Sequence, residues 1–125
     1  MRGGVMMGPW KVSSNVLNGR TAYIVCRLKD TEEVQHSGNM ILSDKGYTND
    51  RAEAEKYAEK LNQFEASLPV CRWCGKHGVI AYFSPSLVLV RCDRSPAERR
   101  NLRFCSEISA GTLDEAEAAW RRLQA

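Results

Sequence analysis

The chain has 125 residues, 43% hydrophobic and 26% charged, with a formal net charge of +3. That size allows one domain or two very small ones, and the composition is ordinary for a globular protein. No apolar run approaches the roughly 18 to 20 residues of a membrane span, and none follows a basic start as in a signal peptide.

A cytoplasmic location is therefore expected, and in that reducing compartment paired cysteines favour metal over disulfide. Met6 and Met7 offer alternative starts, so the first residues are expected to be dispensable. Trp10 to Leu17 reads as a first strand, Asn18-Gly19 as a two-residue hairpin turn, and Thr21 to Leu28 as the return strand. In that strand Ala22, Ile24, Cys26 and Leu28 share one face, and Tyr23 and Val25 the other. Cys26 reads as a small core residue. A polar loop from Asp30 to Asn39 leads to a short third strand, Met40-Ile41-Leu42.

Thr48-Asn49-Asp50 starts a helix on which Ala54, Tyr57, Ala58, Leu61 and Phe64 recur at three- and four-residue steps and so share a face. Its acidic residues, Asp50, Glu53, Glu55, Glu59 and Glu65, read as solvated surface supported by Lys56 and Lys60. The functional alternative is an acidic face that competes for a basic nucleic-acid channel. Ser67-Leu68-Pro69 ends the helix.

The second half repeats the plan. Val79 to Phe83 and Leu87 to Val90 flank Ser84-Pro85-Ser86 as a hairpin. Ser95-Pro96-Ala97-Glu98 suits a short helical turn, and Phe104 to Ser109 another strand. Thr112-Leu113-Asp114-Glu115 is a capping box that launches a last helix burying Leu113, Ala116, Trp120 and Leu123. The helix starts at Thr48 and Thr112 match closely, and convergent capping chemistry explains the match more simply than duplication. The expected fold is α+β: a β-hairpin plus helix module over residues 8–67, then a zinc-ribbon-like module with a C-terminal helix over 70–125, both ββα-like.

Cys71-Arg72-Trp73-Cys74-Gly75 is a C-x-x-C-G turn, whose two thiolates can reach one tetrahedral metal while the glycine lets the backbone curl around them. With Cys92 and Cys105 these cysteines form the expected ligand set for a structural zinc ion, a staple that halves of this size need. Twelve residues separate Cys92 from Cys105, where a ribbon has a second C-x-x-C. Three readings fit that spacing: an arginine-rich insertion in the second knuckle, His77 in place of one cysteine, or a relic without metal.

Between Cys71 and Cys105 seven basic residues face two acidic ones. Arginine dominates there, which suits bidentate contacts to phosphate or carboxylate; the plain alternative is a solvated loop. Arg91, Arg94, Arg99, Arg100 and Arg103 are the expected partner-binding residues, together with Trp73. Trp73 either stacks on a nucleobase, fills a partner's pocket, or packs over the metal turn as local core. A catalytic thiol needs a base, and the chain has only His36 and His77; no phosphate loop, dinucleotide fingerprint or G-x-S-x-G is present. A non-enzyme is expected.

Cys71-Arg72-Trp73-Cys74-Gly75, Val90-Arg91-Cys92, Cys105 and the closing Thr112-Leu113-Asp114-Glu115-Ala116 helix with Trp120 resemble the restriction-alleviation (Lar-like) family of small phage and prophage proteins. Arg72 stands where that family has proline. In the first half, Ser14-Asn15-Val16, Tyr23-x-Val25-x-Arg27-Leu28-x-Asp30, His36-Ser37-Gly38-Asn39 and Asp50-Arg51-x-Glu53-Ala54 are similar to short uncharacterised proteins from phages and plasmids of Gram-positive gut bacteria. The second resemblance implies a mobile-element origin and little else, and neither transfers an activity residue by residue; the first expectation is a small non-catalytic anti-defence protein. Its expected partners are a restriction or CRISPR nuclease, nucleic acid, or both, with no membrane partner. The rival expectation is a nucleic-acid-binding accessory or regulatory module, and a third is a structural adaptor.

Overall fold

A computed structural model describes residues 7–31, 37–93 and 106–125. Strands β1 (Lys11–Leu17) and β2 (Arg20–Leu28) form an antiparallel hairpin closed at the Leu17–Arg20 pair. Asn18 and Gly19 have φ of 53° and 77°, the two left-handed residues a type I′ turn demands. Strand β3 (Met40–Leu42) pairs with the other edge of β2, Arg27 opposite Ile41, giving the order β1-β2-β3. Asn39 closes the preceding loop with its side chain, accepting from the Asp30 amide at 2.9 Å and donating to the Asp30 carbonyl at 3.0 Å.

Helix α1 (Arg51–Ser67) begins where expected, with the Asp50 carboxylate accepting from the Glu53 amide at 3.2 Å. Ala54, Ala58 and Leu61 are buried, and Tyr57 and Phe64 pack against the same cluster. The second sheet joins β4 (Gly78–Ser84), β5 (Leu87–Cys92) and β6 (Glu107–Ala110) in antiparallel order, with an irregularity between Ile80 and Tyr82. Helix α2 (Leu113–Gln124) follows, capped by the Thr112 hydroxyl, which accepts from the Glu115 amide at 3.2 Å. The protein is thus α+β, two small three-stranded antiparallel sheets and two helices. Among the described residues, no helix is long and apolar enough to cross a membrane. The expected helical turn at 95–98 lies outside the described residues.

One hydrophobic cluster runs through both halves, from Trp10, Val25 and Leu61 to Ile80, Val90 and Trp120. Trp10 meets Phe83 edge to face, with ring centroids 6.3 Å apart. Inside this junction lies a polar hub. The Arg27 side chain is 3% exposed and pairs with Glu65, 11% exposed. The same carboxylate accepts from the Ile80 amide at 2.7 Å and the Trp10 indole at 3.2 Å. Arg27 also donates to the Gly8 carbonyl at 2.9 Å and the Ile80 carbonyl at 3.2 Å, and its guanidinium lies 5.0 Å from the centre of the Trp10 ring.

Glu65 therefore departs from the expected solvated acidic face. At the end of α1 it meets the Ile80 amide of β4, the Arg27 guanidinium of β2 and the Trp10 indole, which together make burial of a carboxylate tolerable.

Candidate metal centre

The C-x-x-C-G turn folds back on itself. The Gly75 amide donates to the Cys71 carbonyl at 2.8 Å, and the Cys71 amide to the Lys76 carbonyl at 2.9 Å. Gly75 sits at φ 71°, a left-handed conformation that costs glycine least. Cys92 arrives from the last residue of β5, and the next residue, Asp93, donates its amide to the His77 carbonyl at 2.9 Å. The result is a group of three sulfurs, Cys71, Cys74 and Cys92, all within 4.8 Å of one another. Cys71 and Cys92 are buried and Cys74 is partly exposed.

A tetrahedral ion with bonds to sulfur of about 2.3 Å holds its thiolates about 3.8 Å apart. Three sulfurs within 4.8 Å need contract by only about 1 Å to share one ion. Among the described residues this is the one such group of cysteine, histidine or acidic side chains, and His77 is not part of it. Cys105, the remaining expected ligand, lies outside the described residues.

Ser106 backs the site. Its hydroxyl is 3.3 Å from the Cys71 sulfur and accepts from the Gln124 amide at 2.7 Å, while the Cys92 thiol donates to its carbonyl at 3.5 Å. Burial pushes the Cys71 thiol up, but hydrogen bonds from Ser106 and from the backbone of Trp73 and Cys74 outweigh it, and the thiol falls to about 6. A sulfur ionised at neutral pH is the form that binds metal. The Cys26 thiol moves the other way, raised by burial against a weaker pull from Lys11. It is a core residue, as expected.

Helix α2 anchors this turn. The Gln124 carboxamide accepts from the Arg72 amide at 2.7 Å, Arg72 donates to the Ala125 carbonyl at 2.7 Å, and the Trp120 indole donates to the Pro69 carbonyl at 2.7 Å. The Arg72 cation thus sits at the negative end of the helix dipole. Of the expected contact residues, Trp73 is 51% exposed, with the Arg72 guanidinium 5.3 Å from its ring centre, so it does not pack as local core. Arg91 is half-buried in β5, paired across the sheet with Val79 and Glu107. Arg94, Arg99, Arg100 and Arg103 lie outside the described residues.

The spacing of Ser106 and Gln124 from the cysteines left no sequence signal. Their roles come from chain crossings that only the folded sheet creates. The chain matches no family model, no curated protein and no solved structure.

Proposed function

We propose that the protein is a non-catalytic anti-defence factor of a phage or other mobile element, which inhibits a host restriction or CRISPR nuclease by occupying it or its nucleic acid. Structural zinc fixes its contact surface. The observation that carries this reading is the convergence of the Cys71, Cys74 and Cys92 sulfurs in the segment that resembles the restriction-alleviation family. Cys105, the residue before Ser106, supplies the fourth thiolate in this proposal and closes the site. A closed set of four thiolates has no open position for substrate, so it serves stability and not catalysis. It also suits a reducing compartment such as the bacterial cytoplasm.

The zinc staple holds Trp73 and Arg72 outward at one end of the second sheet, and the basic run 91–103 begins from the same staple. A large exposed aromatic beside a cation is the residue chemistry of an interface anchor. It is also that of a nucleobase platform, so the specific exposure of Trp73 favours a second reading, a nucleic-acid-binding accessory protein.

Elemental analysis and affinity capture from host lysate test the first reading. One zinc per chain and co-purification of a nuclease are expected. Metal-free protein that melts identically with and without chelator would remove the staple. Salt separates the two readings: retention of random DNA or RNA that falls steeply with salt supports the accessory protein, and absence of retention at low salt excludes it.

A further inference from the structure

A second site lies in the first half, away from the cysteines. The segment joining β3 to α1 is pinned to β2 at both ends: the Ser43 amide donates to the Val25 carbonyl at 2.8 Å, and Thr48 and Tyr23 exchange backbone bonds of 2.8 and 2.7 Å. Its middle is held by Asp44, which accepts from the Tyr57 hydroxyl at 2.5 Å. The loop is therefore a fixed rim and not a slack connection. Between it and α1 opens a cleft of about 600 Å³, in the size range of small-molecule sites.

Three lysines, Lys45, Lys56 and Lys60, line this cleft against one carboxylate, Glu53. Lys56 and Lys60 are one helical turn apart, on the cleft side. The ion pair within this helix instead joins Arg51 to Glu55, and Glu59 accepts from Gln63, so the expected glutamate support of both lysines is replaced. Among the described residues neither lysine enters an ion pair. Lys45 holds its ammonium 4.6 Å from the Tyr57 ring centre.

A further observation points to a ligand. Ser43 lines the cleft, is 7% exposed, and its buried hydroxyl has no hydrogen-bond partner. A buried hydroxyl without a partner costs free energy, which a bound acceptor recovers once the Ser43 side chain turns its oxygen to the cleft. Tyr47, 48% exposed on the same rim, offers an aromatic face.

We infer that this cleft binds a phosphorylated nucleoside: the lysines take a di- or polyphosphate, the Ser43 hydroxyl donates to it, and Tyr47 stacks on the base. Three clustered ammonium groups suit several negative charges on one ligand better than a single carboxylate. The inference stands apart from the zinc staple and from the proposed anti-defence role.

Calorimetric titration of the full chain with ADP, GDP, CDP, UDP, inorganic pyrophosphate, adenosine and a random single-stranded oligonucleotide tests it. At least one nucleoside diphosphate is expected to bind, pyrophosphate more weakly, and adenosine not measurably. The double variant Lys56→Gln/Lys60→Gln, on an exposed helix face, is expected to lose about ten-fold or more in affinity with an unchanged melting curve. Ser43→Ala is expected to weaken binding several-fold while sparing stability, because no existing bond is lost. The inference is overturned by absence of binding to every diphosphate and pyrophosphate, by unaltered affinity in the double variant, or by binding of single-stranded oligonucleotides alone.

Discussion

Two buried thiols in this protein have opposite chemistry. Cys26 is fully enclosed and its thiol is raised, while hydrogen bonds at Cys71 bring its thiol down to about 6 from an ordinary 9.0. In chelated protein that depressed value contributes stability in full above pH 9.0, and the contribution is lost as pH falls through about 6. Denaturant midpoints of chelated protein should therefore decline from pH 9 to pH 6, and Ser106→Ala should flatten that decline. Because partners behind a metal ligand typically contribute about 10- to 100-fold in affinity, Ser106→Ala should also weaken binding of the proposed zinc ion by at least about ten-fold in a competitive chelator titration. The Arg27–Glu65 pair gives a second residue-scale expectation. Glu65→Leu strands a buried guanidinium and should cost about 3 to 5 kcal/mol in urea denaturation. Removing both charges with Arg27→Met/Glu65→Leu should cost less than that single change.

At the scale of elements, local chemistry carried most of the information. Asn18-Gly19, the Asp50 cap and the Thr112 box each satisfy backbone needs within a few residues, so their hairpin and helices were legible in the chain. Gly78 was not. A Cβ there would stand 2.8 Å from Trp120 Cζ2, so β4 and α2 approach only because this residue lacks a side chain. Gly78→Ala is expected to destabilise by about 1 to 3 kcal/mol through overpacking, measured by thermal or urea unfolding. Gly19→Ala, with open space around it but φ 77°, should cost only about 1 kcal/mol. Loss at position 19 equal to or larger than that at 78 would contradict the packing account.

Across the whole molecule, the shared cluster couples the halves. Trp10 from the first and Trp120 from the second belong to the same buried group. Chelation should therefore lower the midpoint of a single transition, with tryptophan fluorescence and far-ultraviolet dichroism moving together, and not melt the second half alone. Two separated transitions would show that the halves are energetically independent.

What the chain by itself determined was short-range: caps, turns, strand alternation and the Cys71–Cys74 pair all act within a few bonds of the residues that encode them. Cys92 was already an expected partner of those sulfurs in the chain; tertiary structure alone decided that Ser106 and Gln124 stand behind them, that Glu65 is buried with Arg27, and that Lys56 and Lys60 face a loop held on β2. Each of those depends on segments distant in sequence being brought into contact, and a carboxylate or serine carries no local mark of what will be folded against it.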